Sequence, residues 1–207
     1  MTPDAEDRNP VVLVHGIDDS DAAFDRMGAH LRERGWEVFA PSLAPSCGRV
    51  GLDSLAGQLR DYIAENVPAG RPFDLVGFSM GGIISRYYLQ RLGGRKQVNR
   101  FITLSSPHFG TVMAYFRPNP GTLQMRPGSK LLKDLNGSLE ELESLDPVSI
   151  WSPLDLVIVP QRSSHLPIGK NIRIPVLAHQ FVLRDRRCIE TVAAALEGSE
   201  PGAQDGC

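Results

Sequence analysis

The segment Val76-Gly77-Phe78-Ser79-Met80-Gly81-Gly82 constrains this chain more tightly than any other stretch. A serine held on a sharp strand-to-helix turn projects its hydroxyl out of a sheet only if the flanking backbones come very close, and glycine permits that crowding. Ser79 sits between Gly77 and Gly81. Upstream, Phe73-Asp74-Leu75-Val76 is a short run suited to a buried strand. Downstream, Ile83, Ile84, Tyr87, Tyr88 and Leu92 recur at helical spacing. The motif therefore falls where a strand turns into a helix, and the free amides and positive dipole end of that helix face the hydroxyl.

The rest of the chain repeats the strand-then-helix theme. Residues 1–9 read as a flexible lead-in, followed by a strand over Pro10–Val14 that His15-Gly16-Ile17 ends. Ser20 or Asp21 caps a helix carrying Phe24, Met27 and Leu31, which Gly35 stops. Trp36–Ala40 is the next strand. Leu52, Leu55, Leu59, Tyr62 and Ile63 mark a second helix that ends before Pro68, and Val98–Leu104 forms a strand after the Ser79 helix. The pattern breaks over residues 111–147, which hold several prolines and glycines, apolar bursts around Leu131 and Leu142, and no good strand. Such a segment inside a compact domain reads as a functional cap. Strands resume at Val148–Ser152 and Ile172–Ala178, a helix follows from about Asp185 to Glu197, and residues 198–207 read as a flexible tail. This alternation predicts an α/β fold, a mostly parallel sheet of about six strands with helices on both faces and a short cap insert, forming one domain over residues 10–197.

Composition removes several classes of partner. A net charge of -2 with no basic stripe argues against nucleic acid. The first ten residues are polar and acidic, unlike a secretory signal, and no run approaches the length of a membrane span. The three cysteines show no metal-ligand spacing. The expectation is a soluble, cytoplasmic protein that needs no cofactor and no metal. Gly77–Gly82 does follow a strand, but a serine between its glycines suits an exposed nucleophile better than a pyrophosphate cradle.

A serine hydroxyl is a poor nucleophile near neutral pH, so Ser79 needs a base to take its proton and a carboxylate to orient that base. Where a serine is presented on such a turn, the acid and then the base follow it along the chain. Asp155 and His179 fill that order, each just past the end of an expected strand, where an open parallel sheet presents its ligand-binding groups. His165 is the main rival base and Asp146 the rival acid. His30 falls within a helix, while His15 and His108 each precede a glycine turn that they can organise. Two backbone amides must meet the oxyanion, one from Met80 and the other from Ile17 in the loop after the first strand.

The runs Val-Leu-Val-His-Gly-Ile, Phe-Ser-Met-Gly-Gly and Ser-Pro-His-Phe-Gly-Thr together resemble the small bacterial lipases and esterases of the α/β-hydrolase fold, over residues 10 to about 195. Gln124–Ser129 and the run from Asp155 to Pro160 look similar to cytosolic members of that group. The resemblance implies hydrolysis of carboxylic esters of lipids or other apolar substrates through an acyl-enzyme, with Ser79, Asp155 and His179 as triad and the Ile17 and Met80 amides as oxyanion hole. Phe78 departs from the pattern, since many relatives carry His before the nucleophile. The same triad serves acyl transfer and thioester cleavage, and a binding protein that keeps the fold without turnover is the non-catalytic alternative. Met113, Phe116, Leu123 and Met125 make the start of the insert apolar for a loop. With Phe78, they either border an acyl-chain pocket over Ser79 or form a satellite core under a long loop. Arg117 and Arg126 either meet anionic head groups, in a transient contact with a membrane surface, or remain solvated.

Overall fold

The computed structural model describes residues 8–199. Apolar runs form the strands β1 (Val11–Val14), β2 (Val38–Phe39), β3 (Phe73–Phe78), β4 (Val98–Leu104), β5 (Val148–Trp151) and β6 (Lys170–Arg173). They pair in the order β2-β1-β3-β4-β5-β6, and every pairing is parallel. Because successive side chains of a strand leave on opposite faces, the buried residues split into two groups. Val12, Val14, Phe73, Leu75 and Phe101 face α2 (Leu52–Asn66) and α3 (Met80–Arg91). Val11, Leu13, Val76, Ile102 and Leu104 face α1 (Asp25–Glu33) and α6 (Arg186–Leu196) on the other side. Helices therefore cover both faces of a parallel sheet, as such a sheet requires.

Two strands differ from the sequence reading. The edge strand β2 is confined to Val38–Phe39, although Val11 still donates to Glu37 O at 2.8 Å. The last strand is β6 at Lys170–Arg173, not Ile172–Ala178. Pro175 has no amide to give to a ladder, and beyond Ile174, whose amide reaches Trp151 O at 2.9 Å, the extended chain is held by the Ser152 hydroxyl. Of the flexible ends expected at 1–9 and 198–207, only residues 8, 9, 198 and 199 lie among the described residues. Arg8 there is anchored, stacked over Trp36 at 4.0 Å and paired with Glu197 at 3.2 Å.

The 111–147 insert is built from short helices. A 3-10 turn spans Val112–Phe116, α4 spans Pro120–Gln124, α5 spans Lys130–Asn136, and a second 3-10 turn spans Leu139–Leu145. Its later half buries Leu132, Leu135, Leu142 and Leu145 in the core shared with α2 and α3. Its earlier half leaves Tyr115 and Phe116 exposed.

Candidate active site

Ser79 has φ 53° and ψ -123°, a backbone conformation that non-glycine residues rarely adopt. Close backbone contacts hold it there. A Cβ on Gly77 would fall 2.6 Å from Gly82 Cα, and one on Gly81 would fall 2.1 Å from the Val14 carbonyl oxygen. Only glycine lets α3 start so near the ends of β1 and β3. The Ser79 amide donates to Leu104 O at 2.8 Å, which fixes the turn to β4. The side chain itself is nearly buried, at 4% exposure.

Asp155 and His179 meet because Ser152, one residue past β5, stitches their loops together. Its hydroxyl accepts from the amides of Leu154 at 3.1 Å and Val176 at 3.0 Å and donates to Val176 O at 2.8 Å. Asp155 Oδ1 then accepts the amides of Val157 and Ile158 at 2.8 and 3.0 Å, and Oδ2 accepts His179 Nδ1–H at 2.7 Å. Burial pushes the Asp155 carboxyl up, but the hydrogen bond and charge of His179 and the two amides outweigh it, so its pKa lies below 3.8. An ionised Asp155 requires the proton of neutral His179 to sit on Nδ1, leaving Nε2 as the free basic nitrogen. Nε2 is buried and has no hydrogen-bond partner among the described residues. The His179 ring lies against Phe78, the residue before Ser79, with centroids 4.8 Å apart.

The loop after β1 closes on the same point. A Cβ on Gly16 would lie 3.1 Å from Ser79 Cβ. His15 shapes this loop: its Nε2 accepts the Leu43 amide at 2.9 Å, so its Nδ1–H donates to Gly16 O at 2.9 Å. Both ring nitrogens are occupied. Neither the Ile17 nor the Met80 amide is spent on a hydrogen bond among the described residues outside the regular elements.

The remaining titratable candidates lie elsewhere. His30 Nε2 is 3.8 Å from Glu190. His165 packs edge-on against Trp151 at 4.4 Å rather than on Asp155. Asp146 is exposed at the end of a 3-10 turn. His108 is fully buried, its Nε2 bonded to Thr103 Oγ1 at 3.1 Å. Burial and the nearby Arg86 charge hold its pKa well below 6.5, so it stays neutral. Among the pocket candidates, Phe78 and Met125 are buried, whereas Met113, Leu123 and especially Phe116 are exposed. Arg117 pairs with Asp18, and Arg126 lies over the Tyr115 ring at 4.6 Å.

Two features escaped the sequence reading. Asp19, in the loop after Ile17, is half-buried. Burial raises its carboxyl pKa above 3.8, with the charges of His15 and His179 acting the other way. Leu154 and Leu156 flank Asp155, and Leu177 and Phe181 flank His179, all four exposed. Large apolar residues inside loops that carry polar chemistry are the signal that could have found them.

A serine on a strand-to-helix elbow of an all-parallel six-stranded sheet, with an acid and a base on loops beyond later strands, is the architecture of the α/β-hydrolase lipases and esterases. More narrowly, the family model for palmitoyl protein thioesterases matches residues 10–134, and the chain belongs to that family. The lysosomal thioesterase PPT2 of Mus musculus is 31% identical over 107 residues, covering 49% of this chain and 34% of its own. The chain thus matches about a third of that relative's length. Among solved structures, mature Bacillus licheniformis lipase BlEst2 superposes with a TM-score of 0.76 at 18% identity, covering 91% of this chain and 92% of its own. Aspergillus fumigatus lipase B does so with a TM-score of 0.80 at 17% identity, covering 97% and 56%. Among the described residues no helix is long and apolar enough to cross a membrane.

Proposed function

We propose that this chain hydrolyses fatty-acyl esters, and thioesters in particular, through an acyl-enzyme on Ser79. The observation that carries the proposal is the Asp155–His179 pair, which leaves Nε2 without a partner on a ring 4.8 Å from that of Phe78, the residue before Ser79. Ser79 Oγ attacks the acyl carbonyl carbon while His179 Nε2 takes the hydroxyl proton. The amides of Ile17 and Met80 receive the oxyanion. Collapse of the tetrahedral intermediate breaks the bond from carbonyl carbon to sulfur or oxygen, and the His179 proton goes to the leaving group. A water molecule then repeats the sequence on the acyl-enzyme and releases the carboxylic acid.

Membership of the thioesterase family supports sulfur as the leaving atom. In this reading the acyl chain runs along Phe78 and the apolar side chains of the 112–125 segment. The test is a panel of long-chain acyl thioesters, glycerolipids and nitrophenyl esters of increasing chain length, run on the parent chain and on Ser79→Ala. The expected outcome is turnover by the parent and a loss of at least ~10³-fold in the variant. A Ser79→Ala chain as active as the parent would overturn the assignment.

A further inference from the structure

Every large apolar side chain exposed among the described residues falls in one of three segments, 109–123, 154–157 and 177–181. Elsewhere such residues are covered. The extremes are Phe116 at 77%, Leu177 at 76% and Leu156 at 73% exposed. An exposed apolar group this concentrated marks a contact surface.

The three segments form one surface. Thr111 Oγ1 donates to Val157 O at 2.7 Å and accepts the Val159 amide at 3.0 Å, and the Val112 amide reaches Val159 O at 2.9 Å, so the first segment is tied to the second. The second and third are joined by the Asp155–His179 bond and by a groove of about 440 Å³ lined by Leu154, Val176, Leu177 and Phe181. The acid–base pair therefore joins the second and third segments of this surface.

Charge selects the occupant. Across residues 109–128, 153–166 and 175–184 the only carboxylate is the buried Asp155, while Arg117, Arg126, Arg162 and Arg184 all lie within them. Of the carboxylates that border this surface, Asp18 and Asp185 are ion-paired with Arg117 and Arg187, and Asp53 accepts the Gln124 side-chain amide at 2.9 Å, which leaves Asp19 and Asp53 against three arginines. This cationic balance stands on a chain whose overall charge is -2. We propose that this face docks on an anionic phospholipid surface, with Leu156, Phe116 and Leu177 inserted among the acyl chains and Arg162 and Arg184 at the headgroups. Apolar insertion plus basic side chains is the combination that holds a peripheral protein on such a surface. Docking in this orientation turns the Ser79 side of the molecule toward lipid.

Co-sedimentation of the full chain with vesicles tests the proposal, using phosphatidylcholine alone and phosphatidylcholine mixed with phosphatidylglycerol. Binding needs no turnover, so Ser79→Ala must bind as the parent does, which separates this inference from the proposed reaction. The parent is expected to bind the anionic vesicles and to be released by salt. Leu156→Glu should abolish binding, and Arg162→Glu with Arg184→Glu should weaken it by about fivefold or more for each charge. Lys96→Glu, a single charge reversal beside the start of β4, at the opposite end of the strands, should leave it intact. Near-ultraviolet circular dichroism confirms that each variant folds. Equal binding to both vesicles, no binding to either, or binding that survives Leu156→Glu would overturn the proposal. So would a concentration-dependent dimer in sedimentation equilibrium that Leu156→Glu dissolves, since a second copy would then be the occupant.

Discussion

Asp155 divides its two oxygens between the backbone and a ring: Oδ1 takes the Val157 and Ile158 amides, and Oδ2 takes His179. That division lets a side chain buried to 2% exposure remain ionised, and it dictates which imidazole nitrogen is left basic. Asp155→Asn is isosteric and can keep Oδ1 as acceptor for the two amides, but it then presents an N–H to His179 Nδ1. The imidazole proton is forced onto Nε2, where it cannot accept one from Ser79. The expected result is an unchanged melting temperature with kcat lower by ~10⁴-fold, read from paired thermal melts and steady-state kinetics. A kcat within tenfold of the parent would show that Asp155 has no part in orienting the base. At this scale the sequence distinguished residues by their order and by their place just past an expected strand, and the strand before His179 ends earlier than expected. His179 and His165 both follow Asp155, and what separates them spatially is Ser152, a hydroxyl whose bonds to Val176 nothing local in the sequence announces.

Among the elements, β1, β3, β4 and the helices α2, α3 and α6 were legible because each carries its own period and its own stop. The cap was not. Its helices are five to seven residues long and too short to show a repeat, and their burial is decided by α2 and α3, far away in sequence. The end of β6 was misread because Ile174 and Val176 are buried by α6-side neighbours, which produces an apolar pattern without a ladder. Strand β3 also carries a cost that the sequence does not display. Asp74 is 1% exposed, and burial raises its pKa to about 6 despite the Asn99 side-chain donor at 2.9 Å. The folded chain thus keeps a proton that the unfolded chain releases above its ordinary value of 3.8. Its contribution to stability is fully present below that value and is lost as pH rises through 6, a fall of ~3 kcal/mol. Urea titrations of the parent and of Asp74→Asn across pH 4 to 8 should show a difference between the two that grows over this window in favour of the variant. A difference independent of pH would mean that Asp74 is ionised in both states.

For the molecule as a whole, the parallel sheet collects on one edge what the chain scatters: the loop after β1, the elbow after β3, Asp155 after β5 and His179 after β6. Parallel pairing puts the C-terminal ends of all six strands on the same side, so residues 16, 79, 155 and 179 converge although 163 positions separate the first from the last. The family match over residues 10–134 covers the elbow and the loop after β1 but not Asp155 or His179. The proposal that Ser79, the Asp155–His179 pair and the loop after β1 serve one carbonyl therefore rests on this convergence. Stoichiometric labelling with a fluorophosphonate, located by peptide mass spectrometry, tests it most directly. The account predicts about one label per chain, on Ser79, and a labelling rate that collapses in His179→Ala while the fold is retained; labelling on another residue, or an undiminished rate without the imidazole, would contradict it.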